Sequence, residues 1–231
     1  MKTYLDLNEL KQLEEQAKCL RDRLLIRLLA RLGCRVSEAL ALTVDDIEFD
    51  QGTVRIEHLK WRVRLVCTQC NAKLGKSHAF CPKCGVSVEK AVAEQREHRR
   101  MRTLPVDKET LELLKDYIKR GGPVARKGKN LLFGINRHRA WQIVKECANR
   151  AALGKVVNPE TGRLHNVSPH RLRDAFAVMA VQRDDSTDGI RMLQEQLGHV
   201  SIGTTMHYRK VASHELKEWY QKLWEEKGSG G

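Results

Sequence analysis

The sequence predicts an α+β chain that is mainly α, with one small antiparallel sheet and a metal-holding insertion. Three observations carry this. Apolar residues recur at helical spacing along most of the chain, as at Leu24, Leu25, Leu28 and Leu29. One early stretch, 46–58, reads instead as two short strands about a Gln51-Gly52 turn. Four cysteines stand in two C-x-x-C pairs, Cys67/Cys70 and Cys81/Cys84, separated by residues 71–80. That is the spacing of a zinc ribbon, in which each pair turns two thiolates toward one tetrahedral ion; a pair of disulfides is the weaker alternative.

Length and composition bound the rest. A chain of 231 residues, 41% of them hydrophobic, can build one sizeable core and is not disordered. Lys and Arg number 42 against 29 Asp and Glu, a formal charge of +13, which points to a polyanionic partner, nucleic acid first. The most apolar stretch, Leu24 to Leu32, is broken by Arg27 and Arg31 and is too short to span a bilayer. With no signal peptide, the paired cysteines argue for a reducing compartment, the cytoplasm. Cys19, Cys34 and Cys147 stand alone and are expected to be packed or partly buried thiols without chemistry.

The elements follow in order. A helix is expected over 4–17, capped by Asp6 or Asn8, with apolar residues at Leu7, Leu10 and Leu13. An amphipathic helix over 21–32 ends at Gly33, and a short helix over 37–42 follows. The strands 46–50 and 53–58 come next, then Leu59-Lys60-Trp61 as a loop and the cysteine insertion. His78 is a spare potential ligand, read as a loop residue because four cysteines already fill the shell. The charged run 94–102 is the rising limb of a returning strand, either a solvated face or a contact to a nucleic-acid backbone. A helix over 108–120, capped by Asp107, stops at Gly121-Gly122-Pro123. Residues 124–130 read as a basic loop, 136–152 as a helix with Trp141, Ile143, Val144 and Cys147 in its apolar part, and 155–166 as a turn-rich connector. Ser168 is a suitable N-cap and Pro169 a suitable first residue for a helix that continues through Val181. A helix over 188–197 ends at Gly198, and Ser201 caps a short helix carrying Tyr208. A last helix, 211–227, has Leu216, Trp219, Tyr220 and Leu223 on one side; 228–231 is a flexible tail. No internal repeats are present.

The chemistry-bearing residues fall in four short motifs. Arg35 lies in Gly33-Cys34-Arg35-Val36-Ser37-Glu38. His170 and Arg173 are three apart, on one face of a helix's first turn, where the dipole favours an anion. His199 follows Gly198, and Tyr208 comes nine residues later. A phenol with an ordinary pKa near 10 attacks a phosphodiester only with cations and a proton acceptor about it. Two Arg forks with His donors would clamp the charge that builds on the non-bridging oxygens.

Arg, His-x-x-Arg, Gly-His and Tyr, in that order, resemble the catalytic residues of the tyrosine recombinase (phage-integrase) family. The resemblance covers about 4–211 apart from the cysteine insertion. It implies that fold's catalytic domain: Arg102-Thr103-Leu104-Pro105-Val106 would be the third strand closing the sheet, and the zinc ribbon would sit between strands two and three. The expected organisation is a catalytic domain over 1–227, interrupted by a ribbon at 65–90, with 228–231 as the tail. It implies site-specific strand exchange on double-stranded DNA through a 3′-phosphotyrosine, with Tyr208 attacking. Arg35 and Arg173 would bind the phosphate, and His170 and His199 would stabilise charge or handle protons. Lys60 would protonate the leaving 5′-oxygen, with Lys90, Arg99 and Arg100 as competitors. One structural zinc on Cys67, Cys70, Cys81 and Cys84 is expected, and no catalytic metal or nucleotide. Other protomers in a synaptic assembly are the expected protein partners, and residues 211–227 pack either on their own core or on a neighbour. Family members often carry His where this chain has Asp174, and commonly an N-terminal clamping domain; this chain reads as truncated or as a stand-alone catalytic unit. The rival functions are type IB topoisomerase-like relaxation and a DNA-binding zinc protein without turnover.

Overall fold

A computed structural model describes residues 2–75, 78–88, 92–158 and 161–209, without the side chains of 58–64 and 92–100. These residues form two compact units, one within Met1–Ile56 and Arg102–Gly231, the other within Glu57–Met101.

The first unit is built on α2 (Leu20–Leu32). Leu24, Leu25, Ile26, Leu28, Leu29 and Leu32 are all buried, so this helix is enclosed almost all round and is not the one-sided helix its leucine spacing suggests. Arg27 is buried with them. A buried guanidinium needs partners, and it has Glu14 at 2.8 Å, Thr110 Oγ1 at 2.8 Å and the Glu109 carboxylate. Around α2 pack α1 (Leu7–Glu15), α3 (Val36–Ala41), α4 (Lys108–Lys119), α5 (Arg137–Arg150) and α6 (Pro169–Arg183). Asp6 caps α1 by accepting from Glu9 N at 2.9 Å, which decides between the two candidate caps. Leu7 faces outward, unlike Leu10 and Leu13. A second apolar cluster joins α6, α7 (Thr187–Leu197) and α8 (Ile202–Arg209).

The sheet is antiparallel. The strand β1 (Ile47–Glu48) pairs with β2 (Thr53–Val66), Ile47 opposite Val54, about the left-handed Gly52 turn. On its other sides β2 pairs with β3 (Lys73–Leu74) and β4 (Val92–Pro105). The strand β2 is longer than expected and carries Lys60 within it, so residues 59–61 are strand backbone and not loop. The alternation of Leu59, Trp61, Val63 and Leu65 with Lys60, Arg62 and Arg64 was the signal for this.

Two expected irregular segments are hairpins. The basic loop is β5 (Val124–Arg126) against β6 (Lys129–Leu131), turning through Lys127 and Gly128, both at positive φ, as a two-residue hairpin turn requires. The connector pairs β7 (Val156–Val157) with β8 (Leu164–His165). Cys34 and Cys147 are buried, but Cys19 is exposed, because it sits at the solvent-facing start of α2. The helix expected over 211–227 and the tail lie outside the described residues.

Candidate active site

The site begins where α2 ends. Gly33 adopts the left-handed conformation (φ 59°) that closes the helix, and a Cβ there would meet the Phe176 ring at 2.4 Å. The chain reverses and places Arg35 immediately before α3. Glu38, one turn into α3, accepts from the Arg35 backbone N–H at 2.9 Å and from Arg35 Nη1 at 3.0 Å. Glu38 is itself buried. Burial opposes its charge, but Arg102, bonded at 2.6 Å, outweighs this and, with Arg35, holds the carboxyl below its usual range. Arg102 also donates to Gln196 O at 3.1 Å, so the end of β4 fastens the Arg35 turn to the end of α7.

The helix α6 supplies the next pair. Pro169 opens it as expected, but Ser168 makes no side-chain capping bond. His170 projects outward, its side chain 67% exposed. Arg173 is buried. Its Nη1 donates to Gly33 O at 2.7 Å and its Nη2 to Leu197 O at 2.8 Å. Those carbonyls terminate α2 and α7, where orphan acceptors and the negative dipole end favour a cation. Arg173 therefore clamps two helix ends and lines the site at the same time.

Gly198 (φ 65°) ends α7, and a Cβ there would lie 2.7 Å from Arg102 Nη1. This turn sets His199. Arg173 Nη2 lies 2.9 Å from His199 Nε2, and His199 Nδ1 lies 3.0 Å from Thr205 Oγ1. A guanidinium only donates, so Nε2 accepts and the ring proton sits on Nδ1. In this arrangement His199 is neutral, with Nε2 acting as an acceptor.

Tyr208, on α8, is buried with its ring parallel to His199 at 6.3 Å between centroids. Its hydroxyl donates to Asp174 Oδ1 at 2.9 Å. Burial first, and then the Asp174 carboxylate, raise the phenol's pKa above its ordinary value. The immediate partner of the expected nucleophile is thus an anionic acceptor, while the expected cations Arg35 and Arg173 line the same cleft. The missed signal is Asp174 itself, one residue past the His-x-x-Arg.

These residues share one cleft of about 970 Å³. Arg35, Arg137, Arg173, His170, His199 and His207 line it together with Ser37, Trp141 and Tyr208, and no Asp or Glu is among the described residues that line it. Such a wall suits a phosphate-bearing ligand. Arg137 and Trp141 were not anticipated here; Trp141 turns toward the cleft and not into the core. Cys34 also lines the cleft, but burial pushes its thiol up to about 12, so it stays protonated. The Lys60 side chain is outside those described, and so is that of Arg99 or Arg100; Lys90 lies outside the described residues.

The second unit holds the cysteines. All four Sγ atoms lie within 4.8 Å of one another, with Cys67 to Cys84 and Cys70 to Cys81 both at 3.5 Å. Four sulfurs about 2.3 Å from one ion would be about 3.8 Å apart, so the cluster fits zinc. The two knuckles repeat one another: Asn71 N donates to Cys67 O at 3.0 Å and Gly85 N to Cys81 O at 2.9 Å, with both donors at positive φ. The backbone N–H groups of Cys84 and Lys83 draw the Cys81 thiol down to about 6, toward the ligand form. His78 is outside the cluster, bonded through Nδ1 to Gly75 N at 3.2 Å.

A family model described as the phage integrase family matches residues 3–79 and 82–215. Tyrosine recombinase XerD of Neisseria meningitidis serogroup B is 29% identical over 202 residues, covering 84% of this chain and 52% of that protein. Tyrosine recombinase XerA of Pyrococcus furiosus is 28% identical over 207 residues, covering 86% and 53%. The chain thus spans about half the length of the curated relatives it matches. Among solved structures, a XerA recombinase superposes with a TM-score of 0.61 at 20% identity, covering 97% of this chain and 66% of the other. The catalytic domain of bacteriophage HP1 integrase superposes with a TM-score of 0.52 at 16% identity, covering 96% and 95%. A XerH recombinase bound to its difH substrate, in a post-cleavage complex, gives 0.60 at 22%, covering 94% and 52%. These likenesses show the tyrosine-recombinase catalytic fold, mainly helical with small antiparallel sheets.

Proposed function

This chain belongs to the phage integrase family, and from that premise we propose that it cuts and rejoins double-stranded DNA at specific sites through a 3′-phosphotyrosine on Tyr208. The observation that carries this reading is the cleft in which Arg35, His170, Arg173, His199 and Tyr208 meet, with no carboxylate among the described lining residues. Tyr208 Oη bonds to the scissile phosphorus and the bond to the 5′-oxygen breaks. Arg35 and Arg173 take up the charge on the non-bridging oxygens. The phosphotyrosine conserves the phosphodiester energy, and a second strand's 5′-hydroxyl reverses the step onto a new partner. Strand exchange implies further protomers in a synaptic assembly. Relatives named as tyrosine recombinases and the clustered free thiols support a cytoplasmic setting; no described helix is long and apolar enough to cross a membrane. The test is covalent capture. A pool of short duplexes with randomised sequence and a nick near each candidate phosphate should yield a protein–DNA band on a denaturing gel. Synapsis of paired duplexes separates exchange from simple relaxation, and a chain that binds the pool but never forms the adduct is a binding protein only.

Lys60 is the proposed acid for the leaving 5′-oxygen. Lys60→Ala should slow capture on an ordinary phosphodiester far more than on a 5′-phosphorothiolate, because a thiolate leaves without a proton. Equal losses on both substrates would make Lys60 an ordinary phosphate contact and bring Lys90 or Arg99 forward.

The four cysteines are proposed to hold one structural zinc, which supplies a closed tetrahedral cross-link and no open position for chemistry. Leu74 is the buried apolar anchor beside Cys67 and Cys81, a core too thin to hold the segment alone. Elemental analysis of reduced protein should give about one zinc per chain. Cys67→Ser with Cys70→Ser should remove the zinc, expose 67–88 to proteolysis and leave the helical unit's melting intact. Retention of metal by the double variant would overturn the ligand set.

A further inference from the structure

The group that takes the phenolic proton is unassigned in the scheme above. We infer that Asp174 is a catalytic residue: it accepts the Tyr208 proton when the strand is cut and returns it when the strand is rejoined. The inference rests on the proposed role of Tyr208.

The geometry selects Asp174 from the candidates. Its Oδ1 already accepts the Tyr208 hydroxyl at 2.9 Å, in a buried contact. Arg171 Nη2, 3.1 Å from Oδ2, orients the carboxylate from the other side. His199 is the obvious alternative, but its ring lies parallel to that of Tyr208, its Nε2 accepts from Arg173 and its Nδ1 proton is directed at Thr205. His170 Nε2 is 3.8 Å from the same Oδ1, beyond hydrogen-bond reach. A carboxylate is a weak base toward a free phenol. The proton becomes acidic as the O–P bond forms, and a carboxylate already bonded to it suffices at that moment.

The step balances. In cutting, the Tyr208 O–P bond forms, the P–O5′ bond breaks, the phenolic proton moves to Asp174, and the 5′-oxygen takes a proton from the general acid. In rejoining, a 5′-hydroxyl attacks, its proton returns to that acid, the Tyr208 O–P bond breaks, and Asp174 reprotonates the phenolate. The groups facing Asp174 are His170 and Arg171 on its own helix and Tyr208 on α8; Arg173 and Tyr4 act on Tyr208 across the same space. The His170 pKa is lowered by desolvation and by the nearby cations Arg171, Arg173 and Arg35, against the pull of Asp174. Asp174→Asn and Asp174→His both lose that pull, so any limb that His170 contributes is shared by the two variants and the difference between them is read.

The test uses the full chain and the duplex recovered from the wild-type adduct, with single-turnover capture measured from pH 5 to 9. Asp174→Asn keeps the volume and removes the base. It should bind the duplex normally and form adduct about 10²–10³ times more slowly, on the 5′-phosphorothiolate as well. Asp174→His should stay within about tenfold of wild type and acquire a new loss of rate below about pH 6.5, where imidazole protonates. A residue that only braces Tyr208 would not move the pH profile. If Asp174→Asn misfolds, the histidine variant's pH limb decides alone. Capture by Asp174→Asn at the wild-type rate overturns the proposal, and faster capture would make Asp174 a brake on the tyrosine. No adduct from the wild-type chain on any duplex removes the role of Tyr208, and that of Asp174 with it; a wild-type adduct with an indifferent Asp174→Asn removes only the latter.

Discussion

Tyr208→Phe is expected to abolish covalent capture of DNA while leaving duplex binding intact. The substitution keeps the ring in its place beside His199 and removes only the oxygen that would bond to phosphorus. Stability should fall by about 1 kcal/mol, the usual net worth of one hydrogen bond, because Asp174 loses one partner and keeps Arg171. The loss of capture should be complete: among the described residues neither Tyr4 nor Tyr117 lines the cleft, and Tyr117 donates to Gly122 O and Leu132 O. The measurement is a denaturing gel with end-labelled nicked duplex, beside a gel-shift for binding. An adduct from the Phe variant would mean that Tyr4, Tyr117 or Tyr220 is the nucleophile.

Arg173→Ala should have the second-largest effect, in two observables at once. Loss of a donor to the developing phosphorane typically costs about 10²–10³ in rate. The same change leaves the buried carbonyls of Gly33 and Leu197 without their donor, at about 1–3 kcal/mol each. At roughly 2–4 °C per kcal/mol for a chain of this size, melting should fall by several degrees at least. Arg35→Ala is the internal control. The Arg35 side chain is 31% exposed and pairs with Glu38, which retains Arg102, so its removal should cost rate with far less loss of stability. Arg173→Lys should not recover either property, because one ammonium cannot serve two carbonyls in the planar fork's geometry. Wild-type capture by Arg173→Ala would remove it from the phosphate clamp and leave it as a brace between helices.

The motifs were legible because their signals are local. Gly33 and Gly198 terminate helices by backbone conformation, Pro169 opens one, and the two C-x-x-C pairs carry the same knuckle twice. The misreadings have equally definite causes. The 124–131 hairpin turns on Lys127 and Gly128, a weak dipeptide signal that a basic run obscured. The strand β2 runs on through Lys60 although its sequence reads as ending at His58, because its alternation changes phase near residue 57 and a phase change reads as an ending. Trp141 has the right spacing for the core of α5, yet periodicity does not say whether the apolar face meets a neighbour or a cleft.

By itself the sequence determined which residues could do chemistry, and that four of them could hold a metal, because identity and short spacing decide ligand type, helix face and turn. Only the tertiary structure decided what each of those residues faces. Arg173 is 140 residues from the Gly33 carbonyl it binds, and Tyr208 is 34 from Asp174. The proton position on His199 follows from an arginine 26 residues away. No local pattern encodes such pairs. They exist because α2 is buried over most of its surface and α6, α7 and α8 close against one another, bringing two helix ends and one phenol to the same cleft.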